Sequence, residues 1–290
     1  MNIGIHGKKF GNDTKELILN VFRLLKEQHC QITVSQEFQS YLLESNISDS
    51  YKTYKKGVDL SNLDALITLG GDGTLLEAIT HISDKEVPIL GINTGRLGFL
   101  ATTAKENIEA AIQNLVNGNY SYDTRSLISL KTNTDLFEGF NFALNDFAIL
   151  KKDTTSMIVV NAYIDGEFLN SYWADGVIVS TPTGSTGYSI SCGGPLVLPH
   201  TENFIITPVS PHNLTVRPIV VPDNAELSFT IEGRTNSFLV ALDSRLATVD
   251  DSIELKVSKA AFKLNLIQLP DNNYFKTLRQ KLNWGLDVRN

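Results

Sequence analysis

The chain has 290 residues, 25 of them basic and 32 acidic, for a formal charge of −7, a length that suits one large domain or two ordinary ones. The acidic balance argues against a nucleic-acid surface, which shows a basic excess. No apolar run reaches membrane-spanning length, and Met1-Asn2-Ile3-Gly4-Ile5 opens as a strand rather than a signal segment, so a cytoplasmic protein with no membrane partner is expected.

Asn2-Ile3-Gly4-Ile5-His6-Gly7 reads as a first strand. Asp13-x-x-Glu16 reads as the capping box of a helix with Leu17, Ile18, Val21, Leu24 and Leu25 along one stripe. Ile32-Thr33-Val34, the apolar run from Asp64 to Leu69, and Val87 to Ile92 suggest further strands, and residues 39–61 read as a polar surface connection. This β-α-β rhythm predicts an α/β domain with a parallel sheet covered by helices. Ile108, Ala111, Ile112 and Leu115 mark a helix ending near Gly118. From Tyr120 the pattern shortens to a period near two, with Asp165-Gly166 as a hairpin turn, which predicts an antiparallel all-β domain of two packed layers. After Pro270, Tyr274, Phe275, Leu278 and Leu282 recur at helical spacing, in a tail expected to dock on the rest of the protein. The domains are therefore drawn as 1–101 with the tail 270–290 packing back, and 102–269.

Gly70-Gly71-Asp72-Gly73-Thr74 joins the buried strand ending at Leu69 to a helix with Leu75, Leu76, Ile79 and Ile82 on its apolar face. Thr74-x-x-Glu77 is a capping-box pattern that would start that helix at Thr74, and the glycines would give positive φ and close approach of a ligand. Helix-start amides suit phosphate, so an aspartate there needs a reason. It could take a proton from a hydroxyl, act through a metal, or bond a ribose. The plain alternative is a tight turn with an exposed carboxylate. Ligands on parallel sheets bind beyond the carboxyl ends of the strands, where Asp72 falls.

Three further segments carry polar chemistry. Asn93-Thr94-Gly95-Arg96-Leu97-Gly98-Phe99-Leu100 follows the next strand and can form a second wall of the site. Asn145-Asp146 interrupts an apolar run, so these side chains either cap a turn or point at a ligand. Asp175 precedes a strand that runs into Ser180-Thr181-Pro182-Thr183-Gly184-Ser185-Thr186-Gly187-Tyr188-Ser189, a dense set of donors suited to ribose or phosphate. Neither Gly-x-Gly-x-x-Gly nor the P-loop pattern is present. Cys30 and Cys192 give neither a disulfide framework nor a zinc site. His6, His29, His81, His200 and His212 lack metal-ligand spacing and read mostly as surface or loop residues, so no residue is assigned to a metal.

With these segments in this order, followed by Ser210-Pro211-His212, Arg217-Pro218, Asp243-Ser244-Arg245 and the Tyr274-Phe275 helix, the chain resembles the NAD kinases over most of its length. The first element alone is shared with diacylglycerol kinases, sphingosine kinases and phosphofructokinases; the long threonine-glycine-serine stretch is the more specific. The resemblance implies a Rossmann-like amino-terminal domain, a β-sandwich carboxy-terminal domain, and a homodimer or homotetramer. It implies phosphorylation of the adenosine ribose 2′-hydroxyl of NAD by ATP, with a divalent cation such as Mg²⁺, to give NADP. Asp72 would be the general base, with Gly73 beside it against the dinucleotide. Asn145 and Asp146 would hold the ribose and nicotinamide end. Asp175 and Thr186, Gly187, Tyr188, Ser189, Ile190 and Ser191 would contact ribose and adenine, with Ser210 and Arg245 nearby.

Trp173, Ser156 and Arg245 depart from frequent family residues, which bears on charge around the phosphates. Two other readings stand beside the kinase: a non-catalytic NAD(P) sensor, and a kinase of a lipid or sugar phosphate. An intact Asp72 counts against the first, and an acidic chain without a basic amphipathic helix against a lipid.

Overall fold

The computed structural model describes residues 1–47, 50–57, 60–153, 156–270 and 272–284. They fall into two compact units, Met1–Thr124 together with the chain from Leu264, and Arg125–Lys263.

The first unit opens with β1 (Asn2–Gly7), α1 (Asn12–Glu27), β2 (Gln31–Ser35), α2 (Gln36–Glu44), β3 (Lys52–Tyr54) and β4 (Ala65–Leu69). It continues with α3 (Asp72–Ile82), β5 (Ile89–Ile92), α4 (Ile108–Val116) and β6 (Ser121–Arg125). Four of these strands lie in the order β2-β1-β4-β5 and pair in parallel, so the segments after β4 and β5 leave from the same sheet edge. The apolar stripe of α1, with Ile18, Val21, Leu24 and Leu25, packs into one core with Ile3, Ile5, Ile67, Leu90 and Ile112.

Two local expectations need correction. Residues 39–61 are not simply a surface connection: α2 buries Phe38 and Leu42, and β3 extends the sheet beside β2. Residues 48, 49, 58 and 59 of that stretch lie outside the described residues. Neither capping box forms. The helices begin earlier, with Gly11 and Gly71 as extended N-cap residues and no side-chain cap. Ser35, by contrast, caps α2 by accepting from the Phe38 N–H.

The second unit runs through β7 (Ile128–Thr132), β8 (Phe142–Ala143), β9 (Asp146–Lys151), β10 (Ile158–Ile164), β11 (Glu167–Ala174) and β12 (Gly176–Ser180). After the short α5 (Tyr188–Ser191) come β13 (Asn203–Val209), β14 (Ile219–Pro222), β15 (Leu227–Glu232), β16 (Phe238–Leu242), β17 (Arg245–Val249) and β18 (Leu255–Lys259). These strands form two six-stranded sheets, β11-β10-β15-β18-β7-β8 and β14-β13-β12-β9-β16-β17. Alternating inward residues such as Val160, Phe229, Ile231 and Val257 meet Phe147, Ile149, Val177, Val179, Phe204 and Val240 in a single sandwich core. Asp165 and Gly166, both at positive φ, turn β10 into β11 as the sequence predicts.

The chain then returns to the first unit with β19 (Leu264–Gln268) and α6 (Tyr274–Leu282). β19 sits between β5 and β6 in a seven-stranded sheet ordered β3-β2-β1-β4-β5-β19-β6. Leu278 of α6 is buried, and residues 285–290 of the expected tail lie outside the described residues. The units divide at 124/125 and 263/264, whereas the sequence reading placed the divisions at 101/102 and 269/270. Ile108, Ala111, Ile112, Leu115, Ile267 and Leu269 bury their side chains in the first unit's core, which explains the difference.

Candidate active site

Asp72 stands at the first turn of α3, directly beyond the carboxyl end of β4. Its carboxylate does not cap its own helix. It crosses to the loop after β5, where Oδ2 accepts from the Phe99 N–H at 2.8 Å and Oδ1 from Leu100 at 3.1 Å and Ala101 at 2.9 Å. Hydrogen bonds to a charged group contribute about 1.5–3 kcal/mol each, so three of them fix the side chain firmly. A carboxylate offers about four acceptor positions; with three taken, one remains on Oδ2, and the side chain is only half-buried.

The loop is shaped for that contact. Asn93 Oδ1 accepts from the Gly95 N–H at 2.7 Å, folding the chain back, and the Asn93 N–H donates to the Thr103 carbonyl at 2.8 Å. A Cβ at Gly98 would overlap the Asp72 carboxylate. The positive φ expected of the glycines flanking Asp72 is not found. None of Gly70, Gly71 and Gly73 has positive φ, and Gly73 is exposed with open space around it.

The second unit gathers most of the other expected residues. Asp243, in the two-residue turn between β16 and β17, accepts from the N–H groups of Leu144 at 3.0 Å, Asn145 at 2.8 Å and Asp146 at 3.2 Å. Arg245 donates to the carbonyls of Phe140 and Phe142 and lies 5.6 Å from the ring centres of Phe137 and Phe142. Asp146 is 8% exposed; burial first, then the charge of Asp243, raises its carboxyl to about 7. The Thr181 hydroxyl donates to the Leu144 carbonyl at 2.5 Å and accepts from the Gly184 N–H at 3.1 Å. This seats the 183–187 segment against Asn145 so closely that a Cβ at Gly184 would collide with the Asn145 carbonyl.

Gly187 lies beside the Asp146 carboxylate. Tyr188 is exposed; burial of its hydroxyl, then Cys192, Asp175 and Asp146, push its pKa up, so the phenol shares the field of both carboxylates. Asp175 pairs with Lys151 Nζ at 2.6 Å, and its N–H donates to the Val209 carbonyl at 2.9 Å, next to Ser210. Thr186 ends a short 3-10 turn (Thr183–Thr186), and Ile190 and Ser191 lie in the following α5. Ser189 does not present its side chain: it is fully buried, with its hydroxyl 2.9 Å from that of Thr207.

Several residues escaped the sequence reading. Lys151, the cation beside Asp175, is not singled out by the sequence. Asp243 is singled out there only as part of the Asp243-Ser244-Arg245 segment, without a role, and its carboxylate is spent on backbone N–H groups. His6 and His81 are corrections: at 1% and 2% exposure they are neither surface nor loop residues. With Glu77 they form, among the described residues, the sole group of three or more potential ligand side chains close enough to share one ion. The Glu77-x-x-x-His81 spacing, one helical turn, was the available signal.

Comparison with known proteins agrees with this architecture. Residues 3–120 match the family model of the ATP-NAD kinase N-terminal domain, and residues 144–269 that of the ATP-NAD kinase C-terminal domain. The chain is 52% identical to an NAD kinase of Cytophaga hutchinsonii and 45% identical to one of Flavobacterium psychrophilum, each over all of both chains. The crystal structure of an NAD kinase from Archaeoglobus fulgidus in complex with ATP covers 98% of this chain and 99% of its own, at 26% identity and a TM-score of 0.72. Yeast NADH kinase complexed with NADH shares the fold at a TM-score of 0.85 and 22% identity, covering 100% of this chain and 89% of its own. The chain belongs to the ATP-NAD kinase family, and it is a phosphotransferase.

Proposed function

We propose that this chain transfers the terminal phosphoryl group of ATP to the 2′-hydroxyl of the adenosine ribose of NAD, with Asp72 taking the hydroxyl proton. The supporting observation is the Asp72 carboxylate, held by three backbone N–H groups with one acceptor position left on Oδ2. A ribose hydroxyl is a weak nucleophile near neutral pH, so an anchored carboxylate that accepts its proton during attack lowers the barrier. Phosphoryl transfer otherwise asks mainly for positioning and charge neutralisation.

In this reading Gly73 leaves room for the dinucleotide beside Asp72. Asn145 and Asp146 hold the ribose and nicotinamide end. Asp175, Thr186, Gly187, Tyr188, Ile190 and Ser191 meet ribose and adenine, with Ser210 and Arg245 nearby. Ser189 contributes through its backbone, since its hydroxyl is engaged by Thr207. Arg245 acts by bracing the Phe140 to Phe142 carbonyls.

A divalent cation such as Mg²⁺ accompanies ATP in this reading. Mg²⁺ takes few protein ligands and keeps waters and phosphate oxygens. No carboxylate cage surrounds Asp72 among the described residues, and the one acceptor position left on Oδ2 is reserved for the hydroxyl proton, so the ion would be held mainly by phosphate and water oxygens. When bound, the ion offsets charge on the donor phosphates. We place the enzyme in the cytoplasm, in keeping with free thiols at Cys30 and Cys192. We also propose a homodimer or homotetramer, for which exposed Phe168 and Trp173 on the edge strand β11 offer apolar surface.

Incubation with ATP, Mg²⁺ and NAD is expected to yield NADP. Asp72→Asn should reduce kcat by roughly 10²- to 10⁴-fold while NAD affinity is largely kept. Near-normal turnover in that variant would remove Asp72 from the proposed role.

A further inference from the structure

We propose that His6, Glu77 and His81 form a binding site for one first-row transition-metal ion of the zinc type, separate from the cation that accompanies ATP. The inference does not depend on the assignment of Asp72.

His6 lies near the end of β1, and Glu77 and His81 project one turn apart from α3, so the three meet although the first and second lie far apart in the chain. One ligand atom from each lies within 4.8 Å of the other two, and the imidazole rings are centred 4.4 Å apart. His6 Nε2 is 4.0 Å from Glu77 Oε2. Two nitrogens there have no partner: His6 Nε2 and His81 Nδ1 are buried and make no hydrogen bond. Native interiors seldom leave such atoms unsatisfied.

The surroundings orient His6 as a ligand. Its Nδ1 is 2.9 Å from Ser35 Oγ, and that hydroxyl oxygen also accepts from the Phe38 N–H at 3.3 Å. With the Nδ1 proton donated to Ser35, the lone pair on Nε2 faces Glu77. Metal-bound histidines are held in this way by a second hydrogen bond.

Two further unpartnered oxygens neighbour this polar pocket. Thr68 pairs with His6 across β1 and β4, and its hydroxyl is buried without a partner. The Tyr54 ring meets His81 edge-on at 5.8 Å, and its hydroxyl is likewise unpartnered.

The donor set chooses the ion. Two imidazoles and one carboxylate suit Zn²⁺, Co²⁺, Ni²⁺ or Fe²⁺, whereas Mg²⁺ and Ca²⁺ take oxygen. A tetrahedral ion at about 2.0–2.1 Å from each nitrogen brings its ligand atoms to roughly 3.4 Å from one another. Closing the present spacing requires Glu77 to turn inward and leave Lys8, which now sits 2.9 Å from Oε2 on an exposed side chain. The bound ion would clasp β1 to α3, the helix that begins at Asp72.

The test uses the full chain, stripped with chelator and then titrated with Co²⁺ and Zn²⁺ in excess Mg²⁺. One equivalent of Co²⁺ should bind with a ligand-field absorption that Zn²⁺ abolishes and Mg²⁺ does not, and Zn²⁺ should raise Tm. His81→Gln and the half-exposed Glu77→Gln should each weaken binding by at least the roughly 10- to 100-fold that loss of a supporting partner costs. His29→Gln, on the surface, should bind as the parent chain does. Absence of a stoichiometric site, or a Glu77→Gln chain that binds Co²⁺ like the parent, overturns the proposal.

Discussion

Asp72 and Gly98 form a pair that works by exclusion: the carboxylate occupies the space a side chain at 98 would need. Gly98→Ala should therefore push the Asp72 oxygens off the amides of Phe99, Leu100 and Ala101. A displacement of about 1 Å at a reacting group can cost on the order of 10²-fold in rate. The expected outcome is a fall of that size in NADP formation, with Tm falling far less, checked by steady-state rates and thermal melts. The sequence announces Asp72 through its strand-turn-helix setting, since Ala65 to Leu69 is uninterrupted and apolar. It conceals that the carboxylate serves the neighbouring loop, because the Phe99 to Ala101 amides are invisible in side-chain identity. The capping box misled for a related reason. An extended Gly71 lets α3 begin two residues before Thr74, so Thr74 turns inward and Glu77 reaches Lys8 instead of the helix start.

The turn between β16 and β17 carries a second arrangement of acids, at the level of whole elements. Asp243 ties the start of β9 to that turn through three amides, and Asp146 is left buried beside it, with the charge of Arg245 also acting on Asp243. Asp146 titrates near 7 folded, against an ordinary value of 3.8. The folded chain therefore holds a proton that the unfolded chain has lost between about pH 4 and 7, and stability from this group declines as pH rises through that window. Each tenfold difference in proton affinity between the two states corresponds to about 1.4 kcal/mol, so the effect amounts to a few kcal/mol. Asp146→Asn should flatten the decline in urea-unfolding free energy between pH 4 and 8, and an unchanged slope would contradict the assignment. The alternation of β10, β15 and β18 made this sandwich readable from period-two patterns. The tie from Asp243 was not, because nearly a hundred residues separate it from the amides it serves.

At the level of the whole molecule, the first unit is not continuous in sequence: β19 arrives from residues 264–268 to lie between β5 and β6. Ending the chain after Lys263 should open that sheet. Hydrogen exchange would then show Leu66 to Leu69 losing protection while Val177 to Val179, within the second unit, keep theirs. The two-part organisation was legible from the change of periodicity near Tyr120. The return of β19 was not, since a short apolar run after the antiparallel strands of the sandwich reads as one more of the same. The same threading sets an order for biogenesis. A ribosome finishes everything the sandwich needs at Lys263, but it must first hold an incomplete amino-terminal sheet, with one side of β5 lacking its neighbour, for on the order of ten seconds or more at ordinary elongation rates. The nascent polypeptide thus carries a bare β edge from the emergence of β5 until residues 264–268 are made, an invitation to wrong pairing that their arrival withdraws.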